Sequence, residues 1–284
     1  MHFLILAILC SVSVSVLFKL VKRYNVATDQ MVAFGYVVAL SLSYFLLSPD
    51  FKGLGFTEFV LESESKPIFF TLGVLLPVGF IVMSKAVEHG GIVRTDAAQR
   101  LALFLQIIAA VVIFGEAITE MKTYGVIVAF FALFGLLYKP AGSMGNAKIA
   151  ALALAGVWLI WGSTGILFKK IALQGGAFPA TLFISFACAM VIMFAYLLIK
   201  RTQWTAPSLL AGILLGALNF GNILFYIYAH QFYKANPTIV FATMDVGVIC
   251  LGTIIGAFAF KERISKMNIA GIILGVIAIL LLRL

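Results

Sequence analysis

Apolar residues run through this chain in ten long blocks, separated by short polar or glycine- and proline-rich breaks. The blocks lie near 2–21, 31–48, 67–87, 92–114, 122–138, 147–171, 177–199, 207–232, 237–260 and 266–283. Roughly 20 consecutive apolar residues are what a helix needs to cross a bilayer, so the pattern predicts ten membrane-spanning helices. The breaks carry helix punctuation: Ser48-Pro49, Pro67, Gly90-Gly91, 139–142 at the middle, Gly175-Gly176, Pro207 and Asn236-Pro237. Continuous apolar runs are unlike the alternating ten-residue strands of a membrane barrel. One break is long, 49–66, with Glu58, Glu62 and Glu64. Its Phe56, Phe59 and Val60 allow either a short helix lying at the membrane surface or a solvated loop.

Composition agrees with the pattern. Of the 284 residues, 63% are hydrophobic and 11% charged, against about 45–50% and about 25% in soluble domains. The formal charge is +9, but the basic residues stand in ones and twos in the breaks, as helix-end anchors do; no nucleic-acid partner is expected. Cys10, Cys188 and Cys250 all fall inside apolar blocks, which gives neither a disulfide framework nor a metal-ligand spacing. The first block lacks a cationic start and a small-residue cleavage site, so it reads as a span and not as a cleaved signal.

The chain also repeats itself. Leu17-Phe18-Lys19 recurs as Leu167-Phe168-Lys169, and Phe114-Gly115-Glu116 falls on Phe260-Lys261-Glu262. The halves, 1–140 and 141–284, hold five blocks each. An odd number of spans turns the second copy upside down, and inverted repeats of this kind recur in secondary transporters with the site between the halves. The expected fold is an all-α integral membrane protein, ten transmembrane helices as two inverted five-helix repeats. These features, with the closing run 268–276 (NIAGIILGV), resemble the drug/metabolite transporter superfamily, EamA type. The resemblance implies a carrier of amino acids, other metabolites or toxic compounds, with termini inside the cell. The basic residues count ten against seven in favour of termini outside, and the lengthened acidic loop at 49–66 also departs from the family. Orientation therefore stays open.

Polar groups within the spans are candidates for function, since burying them in lipid is costly. Asp96, Gln99 and Gln106 share one stripe of the fourth span, and Asp96 and Arg100 form an i,i+4 pair. Either those two charges neutralise one another near the helix mouth, or Arg100 faces a cavity and binds a carboxylate or phosphate. On the eighth span Asn219, Asn222, Tyr226 and His230 recur every three or four residues; this stripe either joins helices or lines a site. His230, near the end of its span, reads as interfacial with a secondary proton role. Asp245 lies deep in the ninth span without a basic neighbour in sequence. It needs a partner from another helix or takes up a proton readily, and the repeat places it opposite Gln99. Lys85 reads as a snorkelling lysine. Pro77 with Gly73 and Gly79 marks a kinked third span; Glu116 and Glu262 read as structural or gating residues. Gly252-x-x-x-Gly256 and Gly271-x-x-x-Gly275 permit close helix contact.

The expected function is secondary transport of a small organic solute by alternating access in a bacterial inner membrane. Substrate would be held by Gln99, Arg100, Gln106, Asn219, Asn222, Tyr226 and Asp245. The proton-coupling candidates are Asp245, Asp96 and His230. No nucleotide-binding, H-E-x-x-H or G-x-S-x-G motif is present, so no cofactor, metal or catalytic residue is expected. The rivals are a lipid or multidrug carrier on the same fold and, further off, an intramembrane enzyme. Oligomeric state does not follow from the sequence.

Overall fold

In the computed structural model the described residues are 1–21, 24, 26–51, 53, 55–137, 146–260 and 265–282. They form eleven α-helices and, among the described residues, no strand. The helices are α1 (His2–Val21), α2 (Thr28–Leu47), α3 (Phe56–Glu62), α4 (Lys66–Gly90), α5 (Ile92–Val112) and α6 (Glu120–Leu137). The second half supplies α7 (Ala147–Ala172), α8 (Phe178–Ile199), α9 (Ala206–Phe232), α10 (Pro237–Phe260) and α11 (Lys266–Leu281). Eight of them, all but α3, α6 and α11, are long and apolar enough to cross a membrane. Phe45, Val112, Phe134, Ile199 and Phe258 stand exposed on the outside of the bundle. Such a surface suits hydrocarbon and not water. The protein is a multi-pass membrane protein.

Helix boundaries follow local chemistry. The Asn146 side chain accepts hydrogen bonds from the Lys148 and Ile149 amides at the start of α7, and Ser265 with Asn268 builds a reciprocal capping box on α11. Proline occupies the first turn of α4, α8 and α9, where its missing N–H leaves no bond unmade. Between α4 and α5 there is a single residue, Gly91, at φ 84°. Only glycine adopts that conformation without strain, and it turns the chain straight back into the bundle.

The helices pair in exchanged couples. α1 packs on α9 as α7 packs on α4, α2 on α9 as α8 on α4, and α1 on α10 as α7 on α5. The self-paired contacts are α2 with α8, α5 with α10, and α6 with α11. Several couples are broken: α7 packs on α9 whereas α1 makes no comparable contact with α4, and α6 packs on α10 whereas α5 makes no comparable contact with α11. The two ends of the bundle therefore differ. The acidic segment is neither a bare loop nor a purely superficial helix. α3 seats Phe59 against Phe69, Ala180 and Ile184 at the ends of α4 and α8, leaving Phe56 and Leu61 exposed.

Candidate functional site

Five helices converge on a cavity of about 140 Å³ in the middle of the bundle, with charged and amide groups set in a largely apolar wall. α5 contributes Gln99, Arg100 and Gln106; α9 contributes Asn222 and Tyr226; α10 contributes Asp245. α7 adds Trp161, Thr164, Gly165 and Phe168, and α1 adds Ser11. Arg100 donates from Nη1 to Asp245 Oδ1 at 3.0 Å, tying α5 to α10. Its Nε lies 3.6 Å from Asp96 Oδ1, a longer contact to a more exposed carboxylate. Asp245 thus has its partner from another helix, and Arg100 is held more closely by Asp245 than by the neighbour on its own helix. With all three groups ionised the cluster carries one uncompensated negative charge.

Polar groups around the ion pair retain unused hydrogen-bonding capacity. Trp161 Nε1 and Thr164 Oγ1 are buried without a hydrogen-bond partner and Arg100 Nε has only its long contact to Asp96, three of nine buried atoms without a hydrogen bond among the described residues. Buried donors are ordinarily paired, so this concentration on one cavity marks a place for water or a polar ligand. Gln106 reaches across α7 to the Trp161 carbonyl at 3.5 Å. Gly165 makes room for it, since a Cβ there would lie 2.3 Å from Gln106 Nε2. Asn222 donates to the Ala7 carbonyl of α1 at 3.1 Å, so one side chain both lines the cavity and joins two helices.

Two residues sit elsewhere than the sequence suggested. Asn219 is half-buried one turn away and does not line the cavity; the stripe on α9 turns off the site at that point. His230 is not interfacial. It is fully buried between the rings of Tyr226 and Phe241, at centroid distances of 4.6 and 4.8 Å, with both ring nitrogens unpartnered. It touches the cavity only through Tyr226. Pro77 is buried inside α4. Glu262 lies outside the described residues. Trp161, Thr164 and Ser11 were not anticipated, although the small, polar run 162–165 (GSTG) in an otherwise apolar helix was a visible sign.

Beyond the cavity, where α5, α7, α9 and α10 end or begin, a buried network shuts the bundle. Glu116 accepts from the Thr238 amide at 2.9 Å, from the Thr238 hydroxyl at 2.7 Å and from Lys122 Nζ at 3.0 Å. Lys122 also bonds Asn236 Oδ1. The Glu116 carboxylate, which follows α5, thereby caps α10, the helix that carries Asp245. Lys169 at the end of α7 donates to the carbonyls of Lys234 (2.7 Å) and His230 (3.4 Å), holding α7 to α9. This is the latch end of the molecule.

The opposite end is open. Between α2, α4 and α8 lies a wider cavity of about 340 Å³, lined among others by Asp29, Phe80, Ser84, Lys85, Glu88 and Lys200. Lys200 donates to Asp29 at 2.6 Å, and that bond holds its ammonium pKa above the usual lysine range.

Residues 148–284 match the EamA-like transporter family. The chain is 58% identical over 280 residues to an uncharacterized protein of Haemophilus influenzae, covering 98% of this chain and 96% of the relative. A crystal structure sharing 16% identity superposes with a TM-score of 0.74 over 99% of this chain and 94% of that one, which shows a shared fold. The chain belongs to the EamA-like transporter family, a part of the drug/metabolite transporter superfamily.

Proposed function

We propose that this protein is a secondary active transporter of a small polar solute, an amino acid or related metabolite, working by alternating access. The halves 1–140 and 141–284 act as inverted five-helix repeats, and the exchanged helix pairings support this reading. The central cavity is the substrate site. The observation that carries it is the Arg100–Asp245 ion pair in a cavity whose Arg100, Trp161 and Thr164 keep hydrogen-bonding atoms unused. A ligand carboxylate can take the guanidinium with two parallel bonds, and Asp245 then receives a ligand ammonium or a proton. Either one offsets the charge that the ligand carboxylate adds to the negative excess Asp96 and Asp245 already leave around a single arginine. This charge arrangement supports proton coupling through Asp245. The ion pair and the amides on the wall of a small cavity argue against lipid or apolar multidrug cargo. A bacterial inner membrane fits the helical spans and the Haemophilus influenzae relative.

The test is a thermal-stability screen of purified protein against metabolite classes, repeated with Arg100→Gln and Asp245→Asn. A ligand at 100 times its dissociation constant stabilises by roughly 2.7 kcal/mol. Stabilisation by one class of polar solute in the wild type, lost in both variants, is the expected outcome. Equal stabilisation of wild type and variants would remove the ion pair from the site.

A further inference from the structure

The wide cavity at the open end is separated from the central one by aromatic side chains. Phe80 of α4 lines the first, Trp161 of α7 lines the second, and their rings meet edge to face at 5.9 Å and 86°. Phe18 of α1 also meets the Phe80 ring at a centroid distance of 6.3 Å, where α1 and α4 make no extensive contact. Five residues of α4 face the outer cavity: Phe80, Ile81, Ser84, Lys85 and Glu88. All lie beyond Pro77, which lacks the N–H that would bond back to residue 73 and so weakens the helix there. The stretch before Pro77 is fixed, because Gly73 lies directly against Cys188 of α8; an added Cβ would come within 2.4 Å of its side chain. Before Pro77 α4 is anchored on α8, and beyond it the helix packs on α7 through Val82, Ala86 and Gly90, so a bend at Pro77 carries Phe80 and the polar lining as one body together with that α7 contact.

We propose that the outer cavity is the access port to the central site and that Phe80 is its gate, moved by bending of α4 at Pro77. Lys85 and Glu88, which hold no ion pair among the described residues, offer the port one charge of each sign. A small solute bearing both charges meets matched partners there before Phe80 moves. When the gate swings, the buried indole N–H of Trp161 gains an acceptor in the solute that passes it. The purpose of the port rests on the transport reading, but its existence is tested without transport.

Cys10, Cys188 and Cys250 are replaced by serine in the full chain, and Ser11→Cys places one thiol in the central cavity. The rate of its modification by a cationic methanethiosulfonate is then measured on folded, monodisperse protein. Phe80→Ala is expected to raise that rate about tenfold, as for a tenfold larger open population, and adding Ser84→Trp to plug the port is expected to reverse the gain. Phe80→Leu, which keeps a packed side chain, should give a smaller rise and guards against a variant that fails to fold. An unchanged rate in both Phe80 variants, or a raised rate that Ser84→Trp leaves untouched, would overturn the proposal. Neither result bears on ligand stabilisation through Arg100 and Asp245, so the gate and the substrate site fail separately.

Discussion

One arginine serving two carboxylates makes the central site unequal under mutation. Removing Asp245 leaves Arg100 beside Asp96, so the cluster becomes neutral; removing Arg100 leaves two buried or half-buried carboxylates with no counter-charge. Taking one partner from a buried pair typically costs about 3–5 kcal/mol, and we expect Arg100→Gln to fall in that range. Asp245→Asn should cost about 1 kcal/mol, because the amide still accepts from the guanidinium. Thermal unfolding of the two variants side by side checks the order, and equal losses would show that Asp96 does not engage Arg100. The sequence made Arg100 and Asp245 conspicuous as charges inside apolar runs. The repeat brought Asp245 opposite Gln99, one residue short of its actual partner, because 145 positions separate the pair and nothing local encodes which side chains meet. His230 misled for a related reason. Two residues before the end of α9 would be an interfacial position on an isolated helix, but α10 returns over it and buries it against Phe241.

At the scale of the helix, apolar length carried most of the information. Each of the ten blocks reappears as a helix with ends shifted by a few residues, since lipid-facing segments must bond their backbones internally and leave little alternative. Helix-to-helix contact was harder to read. Gly252-x-x-x-Gly256 has the right spacing, yet an added Cβ at Gly252 would meet nothing within 4 Å. The closest approach of a glycine to another helix's backbone is instead in the seam of Gly212 and Gly216 of α9 against α2, where a Cβ on Gly216 would lie 2.5 Å from the Gly35 carbonyl oxygen. Spacing states which face is small and says nothing of what faces it. Gly216→Ala should therefore destabilise by about 1–3 kcal/mol through overpacking, while Gly252→Ala should be neutral or stabilising through helix propensity. A thermal-unfolding comparison of these two alanine variants tests the seam directly. On α4 the opposite effect is expected. Pro77→Ala restores a helical hydrogen bond and should raise thermal stability, since an interior proline costs about 3 kcal/mol. It should also slow any uptake assay, because the stiffened helix no longer bends.

Across the whole molecule, the largest exchanged helix couples hold, and several smaller ones fail, among them α7 on α9 without a comparable contact of α1 on α4. On the inverted-repeat reading proposed above, the unequal α7–α9 and α1–α4 contacts correspond to a state closed at one end and open at the other. The closed end is made by Glu116 on Thr238 and by Lys169 on the end of α9; the open end is the cavity beside Lys85 and Glu88. On the transport reading proposed above, the Glu116 network separates once in every cycle to release solute past the N-terminus of α10. Placing thiols at both partners, Glu116→Cys with Thr238→Cys on the background free of native cysteine, and joining them with a short bis-thiosulfonate fixes that end shut. Flux in proteoliposomes should fall to background on cross-linking and return on reduction. Ligand stabilisation in detergent should persist throughout, because the central cavity and the open port are untouched. Flux that survives the cross-link would mean that solute leaves without parting α5 from α10, and the two halves would not alternate about the Arg100–Asp245 pair.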